Sequence, residues 1–327
     1  MKIKSILVLF TSILVSYNAL AQEKLIQLED IWASRTFSLE WVWGINSMTD
    51  GVHYSSLNFG KENVYVTEYS YETGDSVATI VDSKNLEGIS FDAYQFSANE
   101  EKVLLPTETE SIYRHSTRSK FYVYDRATKT STALSSDKQR LAKFSPDASK
   151  VAFVRANNIF IKDLNSATET QITNDGEPNK IINGATDWVY EEEFAFDNGF
   201  QWNTNGTKIA FYRFNEEAVP EFSMDEFTDL YPSQNRFKYP KAGEANSTVE
   251  IYIYDTNTKT TVEAAIKVAD EFYIPRIKWT KDENILSLQR MNRHQNNLDF
   301  ILVNATDGTA ETIFTETDDA YIDITDN

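Results

Sequence analysis

The chain has 327 residues and a formal net charge of −19, from 50 acidic against 31 basic residues. That balance excludes a nucleic-acid binder, which needs clustered lysine and arginine to neutralise phosphates, and it favours cationic ligands. Hydrophobic residues make up 41% and aromatics 13%, enough for a core, so global disorder is excluded as well.

The first residues read MKIKSILVLFTSILVSYNALAQ. Lys2 and Lys4 precede an apolar run from Ile6 to Val15, and Ala19-Leu20-Ala21 places small residues before Gln22. This pattern predicts a secretory signal peptide over 1–21 and an exported mature chain over 22–327, periplasmic or extracellular. The run is short for a membrane span, so no membrane association is expected after cleavage. Cysteine is absent. The exported chain therefore has no disulfide, thiol nucleophile or thiolate metal site. The three histidines, His53, His115 and His294, form no HExxH pattern or close pair, so neither a metal nor a cofactor is expected.

Short strand-like runs then follow one another: KVLLPTE, SKFYVYD, KVAFVRA, NIFIKDL, KIAFYRF, VEIYIYD and NILSLQR. Several alternate apolar and polar residues, and most are bounded by Asn, Asp, Gly, Ser or Pro. The one modest helical candidate is DEFTDLY, Asp225 to Tyr231. The runs also repeat. An aromatic, a polar turn, a Lys or Asn and a β-run begin at Phe96, Phe144, Trp202 and Trp279, at spacings of 48, 58 and 77 residues. A second run usually follows, FYVYDRATK, IFIKDLNSA, IYIYDTNTK or FILVNATDG, each ending in a polar turn suited to a hairpin. Recurrence of this kind predicts an all-β fold, a β-propeller whose small sheets cover one another's faces. The widest spacing holds an insertion, about 215–247, full of aromatics and prolines. It either packs on its own blade or forms a protein contact.

Between the second and third repeats lies DWVYEEEF, Asp187 to Phe194. A glutamate triplet in an arbitrary acidic protein is most often a solvated face. Here, however, DWVYEEEF, WNTNGTKIAFYRFNEEAVP and YPKAGEANSTVEIYIYD occur in that order. Together they resemble the N-terminal propeller of the dipeptidyl peptidase IV family, in the prolyl oligopeptidase class of serine peptidases. The resemblance runs from LEDIW at Leu28 to the last residues.

The resemblance implies an eight-bladed propeller capping an α/β-hydrolase domain, of which this chain holds about four to five blades. It implies release of N-terminal dipeptides with Pro or Ala second. Glu192 and Glu193 match the paired glutamates that hold the substrate's α-ammonium. Arg114, in YRHS, matches the arginine that contacts a substrate backbone carbonyl. The 215–247 insertion matches an arm that helps the family dimerise. Glu191 is left a structural or solvent-facing role, and Asp187, Trp188 and Tyr190 packing and orienting ones. Adjacent residues on a strand face opposite ways, so two glutamates that converge on one amine require a short helical turn or a bulge at 190–194.

No G-x-S-x-G elbow is present; GDSVA at Gly74 and GISFD at Gly88 lack its second glycine. No catalytic residue is assigned. The chain is expected to be the N-terminal part of a longer or truncated protein, without the catalytic domain. Two alternatives stand beside a peptidase propeller: a non-catalytic peptide- or protein-binding propeller, and a prolyl tripeptidyl peptidase relative.

Overall fold

The computed structural model describes residues 25–39 and 44–324. The expected signal peptide over 1–21 lies outside the described residues. The chain divides into two compact units, 1–43 and 44–327. In the first, α1 (Leu28–Trp32) starts where the Gln27 amide donates to the Asp30 carboxylate at 3.0 Å.

The second unit is built from antiparallel sheets in chain order, five of four or more strands among the described residues. The first holds β1 (Asn46–Ser47), β2 (His53–Phe59), β3 (Val64–Ser70) and β4 (Ser76–Asp82). The second holds β5 (Gln95–Phe96), β6 (Lys102–Ser111), β7 (Thr117–Asp125) and β8 (Thr130–Ala133). The third holds β9 (Arg140–Phe144), β10 (Lys150–Arg155), β11 (Asn158–Asp163) and β12 (Glu169–Gln171). The fourth is interrupted twice. Between β13 (Ile181–Asn183) and β14 (Phe200–Trp202) lies α2 (Trp188–Glu193). After β15 (Lys208–Asn215) comes a separate hairpin, β16 (Glu221–Glu226) with β17 (Ser233–Lys238). The sheet then resumes with β18 (Thr248–Asp255) and β19 (Thr260–Glu263). The fifth holds β20 (Phe272–Trp279), β21 (Ile285–Asn292), β22 (Asn297–Asn304) and β23 (Ala310–Thr317).

These sheets are propeller blades, as the repeats predict. Val151, Ala152, Phe153 and Val154 of β10 are all fully buried, side chains on both faces alike. Only a sheet covered on both sides buries consecutive residues of one strand. Most of β23, by contrast, is exposed. The repeated polar turns have a common chemistry. The carboxylates of Asp125, Asp163 and Asp255 each accept the amides two and three residues on, at 2.8–3.0 Å. Backbone donation to these oxygens holds the Asp125 and Asp163 carboxyls below their usual range. These turns close on Lys129, Ala167 and Lys259, and a fourth, in which Asn304 replaces the Asp, closes on Gly308, all at positive φ.

Two expectations about the insertion meet the structure differently. DEFTDLY is not helical: its first two residues end β16, and the rest forms the tip of the hairpin. A seven-residue helix is too short to stand alone. Six cross-strand pairs, with Phe222 opposite Phe237, hold the extended form instead. The base of the insertion packs on its own blade and neighbours, with Tyr239 against Trp188 at 4.4 Å and Phe237 against Tyr113 at 5.9 Å. Its tip leaves Phe227, Leu230 and Tyr231 exposed.

Candidate functional site

The innermost strand of the fourth blade is split so that residues 184–199 leave the ladder and return to it. Both ends pair with β15, Asn183 with Arg213 and Phe200 with Phe211. The neck is closed by backbone bonds from Gly184 N to Tyr212 O at 2.9 Å and from Gly199 N to Gly184 O at 3.1 Å. Both glycines are demanded by space. Gly184 has φ +73°, and a Cβ there would meet Ile159 at 2.6 Å; one on Gly199 would meet the Gly184 carbonyl carbon at 2.9 Å.

Inside this loop sits α2, so of the two alternatives expected at 190–194, a short helical turn or a bulge, the structure has the helical turn. Its N-cap is Asp187, whose Oδ1 accepts the Tyr190 amide at 2.9 Å and whose Oδ2 accepts the Ser247 hydroxyl. Burial raises the Asp187 carboxyl above its usual range, and those two bonds oppose the rise. So short a helix is fixed by packing. Tyr190 supplies it: the ring is 2% exposed, lies among Phe194, Phe196, Phe214 and Tyr273, and its hydroxyl accepts the Ile274 amide of β20 at 2.8 Å.

Successive helical residues point about 100° apart, so the three glutamates fan out. Glu191 is fully buried, the Glu192 side chain is 17% exposed and Glu193 is exposed. Arg114 reaches across from the turn between β6 and β7. Its Nε donates to Glu192 Oε2 at 2.9 Å and Oε1 at 3.1 Å. The fold thus joins Arg114 to Glu192, two residues from separate blades. Glu193 stands one position further, makes no hydrogen bond or ion pair among the described residues, and faces a cleft of about 450 Å³. Trp188, Tyr239, Lys241, Arg293 and Gln295 also line it. A carboxylate offers about four acceptor sites and an ammonium three donors. Glu193 keeps its full acceptor capacity toward that cleft, while Glu192 spends part of its own on Arg114.

Sequence reasoning did not specify three supports of this arrangement. Of the two roles left open for Glu191, structural or solvent-facing, the structure shows the structural one: its Oε1 accepts the amides of His115 at 2.7 Å and Ser116 at 2.9 Å. Arg276 Nη1 donates to the Phe194 carbonyl at 2.9 Å. Arg140 and Asp197 lie half-buried near Glu191, and partial burial pushes the Asp197 carboxyl up while Arg140 opposes this. Nothing in local spacing marks Arg140 or Arg276, because their relation to the triplet exists only across blades. Among the described residues no group of three or more His, Asp or Glu is placed to hold a metal.

Blades closed by polar turns, with an inserted helix whose Glu192 pairs with an arginine of another blade, define a β-propeller of a distinct kind. The comparisons make the assignment specific. Residues 97–327 match the model of the dipeptidyl peptidase IV (DPP IV) N-terminal region, and the chain belongs to that family. The crystal structure of Porphyromonas gingivalis dipeptidyl peptidase 4 is 37% identical with a TM-score of 0.84, over 91% of this chain and 43% of that one. A probable dipeptidyl-aminopeptidase B of Botryotinia fuckeliana is 29% identical over 86% of this chain and 34% of its own length. Human prolyl endopeptidase FAP is 31% identical over 82% of this chain and 35% of its own length. The chain therefore spans about a third of the length of these curated relatives.

Proposed function

We propose that this chain is the substrate-gating and amine-binding propeller of a secreted serine dipeptidyl peptidase that releases Xaa-Pro and Xaa-Ala dipeptides. The observation that carries the reading is the Arg114–Glu192 pair with the unpaired Glu193 beside it on the same helix. An enzyme that counts residues from a chain end must recognise the free amine, and two carboxylates do so by charge-assisted hydrogen bonds. Held side by side they repel each other; Arg114 offsets this for Glu192 and turns its carboxylate into a fixed orientation. Family membership and the peptidase activities for which the relatives are named support the same reading. On this proposal Arg114 also faces a substrate carbonyl, and the hairpin arm joins two copies of the protein.

Calorimetry of the chain with an Ala-Pro-initiated peptide and its N-acetylated twin tests the reading. The free-amine peptide is expected to bind and the acetylated one not. Glu193→Gln removes one charged acceptor, worth about 2–3 kcal/mol, and should weaken the free-amine peptide roughly 30- to 150-fold. Equal binding of the twins, or an unaffected Glu193→Gln, would sink the amine-binding role.

A further inference from the structure

The Arg114–Glu192 pair is too exposed to explain its own geometry. The Arg114 side chain is 70% exposed. Exposed ion pairs fix long side chains weakly, because the entropy lost offsets the attraction. The two residues are also 78 positions apart and sit on different blades. Something buried must hold the Arg114 turn against α2.

We propose that Glu191 is the positioning residue of this site, clamping the Arg114 turn onto α2 so that Arg114 and Glu192 stay paired. The proposal rests on the amine-binding reading above. Glu191 has no exposed surface, and one of its oxygens takes both amides that directly follow Arg114. Two adjacent backbone N–H groups on one carboxylate oxygen form an anion-binding nest. The turn is preorganised for this, because the Ile112 amide donates to the Ser116 carbonyl at 2.8 Å and the Tyr113 amide to the Ser116 hydroxyl at 3.3 Å. The second oxygen of Glu191 is buried without a hydrogen-bond partner among the described residues, and so are Nε and Nη2 of Arg140 on β9. Burial disfavours the charged Arg140, while Asp197 and Glu191 favour it. Glu191 is thus the node where a turn of the second blade, a strand of the third and the helix of the fourth meet. Charge-assisted bonds in so dry a place are stronger than the surface pair they support.

The test uses ¹⁵N-labelled full-length chain, reading the His115 and Ser116 amides, the Arg114 Nε–H signal and calorimetry with the Ala-Pro-initiated peptide. Glu191→Asp shortens the side chain by one methylene and draws the oxygen off both amides. Those amides should move upfield, and the Arg114 signal should collapse to a solvent-averaged position. Peptide affinity should fall by about tenfold or more, with a cooperative melt retained. Glu191→Gln keeps an oxygen at the same place. It should leave Arg114 ordered and affinity within about threefold, while the two amides shift because the acceptor has lost its charge. An unchanged Arg114 signal and affinity in a folded Glu191→Asp protein would overturn the proposal. Unmoved amides in Glu191→Gln would overturn it too, even if the shorter variant does not fold. Wild-type protein that binds both peptide twins equally would instead defeat the amine-binding reading, and the amide and Arg114 signals would still judge Glu191.

Discussion

Glu216 sits at the root of the arm with 7% of its surface exposed. Burial, reinforced by the charge of Asp187 and opposed by Lys238, pushes its carboxyl from an ordinary 4.5 up to about 7. The folded protein therefore keeps this proton over a range where the unfolded chain has released it. The stability it confers is full below about pH 4.5 and is lost as pH rises through about 7. The loss is at most about 3 kcal/mol, from 1.36 kcal/mol per unit. Glu216→Gln cannot ionise. Its melting temperature should equal the wild type's near pH 4.5 and exceed it at pH 8, by several degrees. A gap of the same size at both pH values would mean that ionisation of Glu216 is not the cause. At this scale the resemblance singled out Arg114, Glu192 and Glu193, and the structure brings Arg114 and Glu192 together. The sequence left Glu191 between a structural and a solvent-facing role and gave no sign of Glu216, because burial depends on helix phase and on which blade lies opposite.

Among the elements, α2 is the one whose existence depends most on its neighbours. The single hydroxyl of Tyr190 satisfies the Ile274 amide of β20 and so ties the helix to the next blade. Tyr190→Phe keeps the ring packing and leaves that amide buried without a partner, at a cost of about 1–3 kcal/mol. Chemical denaturation should report this loss, and hydrogen exchange at Ile274 should accelerate in proportion. An unmoved denaturation midpoint would count against the bond. A break from regular strand at 190–194, as a helical turn or a bulge, was legible before the structure because adjacent residues of a strand face opposite ways; the structure makes it a helix. The hairpin was not. DEFTDLY carries helix-forming residues, but its fate is set by Phe222 and Phe237 pairing across the ladder and by Tyr239 seated on Trp188, contacts invisible in a seven-residue window.

For the whole molecule, the four repeats beginning at Phe96, Phe144, Trp202 and Trp279 marked blades two to five, since each carries the same aromatic and turn. The first blade was legible only through the resemblance. Its two-residue inner strand, Asn46–Ser47, lacks the aromatic that opens the others. The arm tip carries an exposed apolar cluster, with Phe227, Leu230 and Tyr231 at 78%, 92% and 82% exposure. If the arm joins two copies, Leu230→Ser with Tyr231→Ser should convert a dimer to a monomer in sedimentation. The monomer fold should change by less than about 0.5 kcal/mol, as for other surface substitutions. Wild-type protein that sediments as a monomer at micromolar concentration would remove the arm from the proposal.

The closed neck at Gly184 and Gly199 has a kinetic meaning. The loop that carries the glutamates is mounted at both ends on β15, so it cannot swing as a flap hinged at one end. If α2 binds an amine as proposed, an ammonium arriving there would find its receptor already assembled and would wait for no backbone rearrangement. Arrival would then be governed by diffusion and by the attraction of a chain carrying −19 charges. Discrimination between one peptide and another would reside in how long each stays.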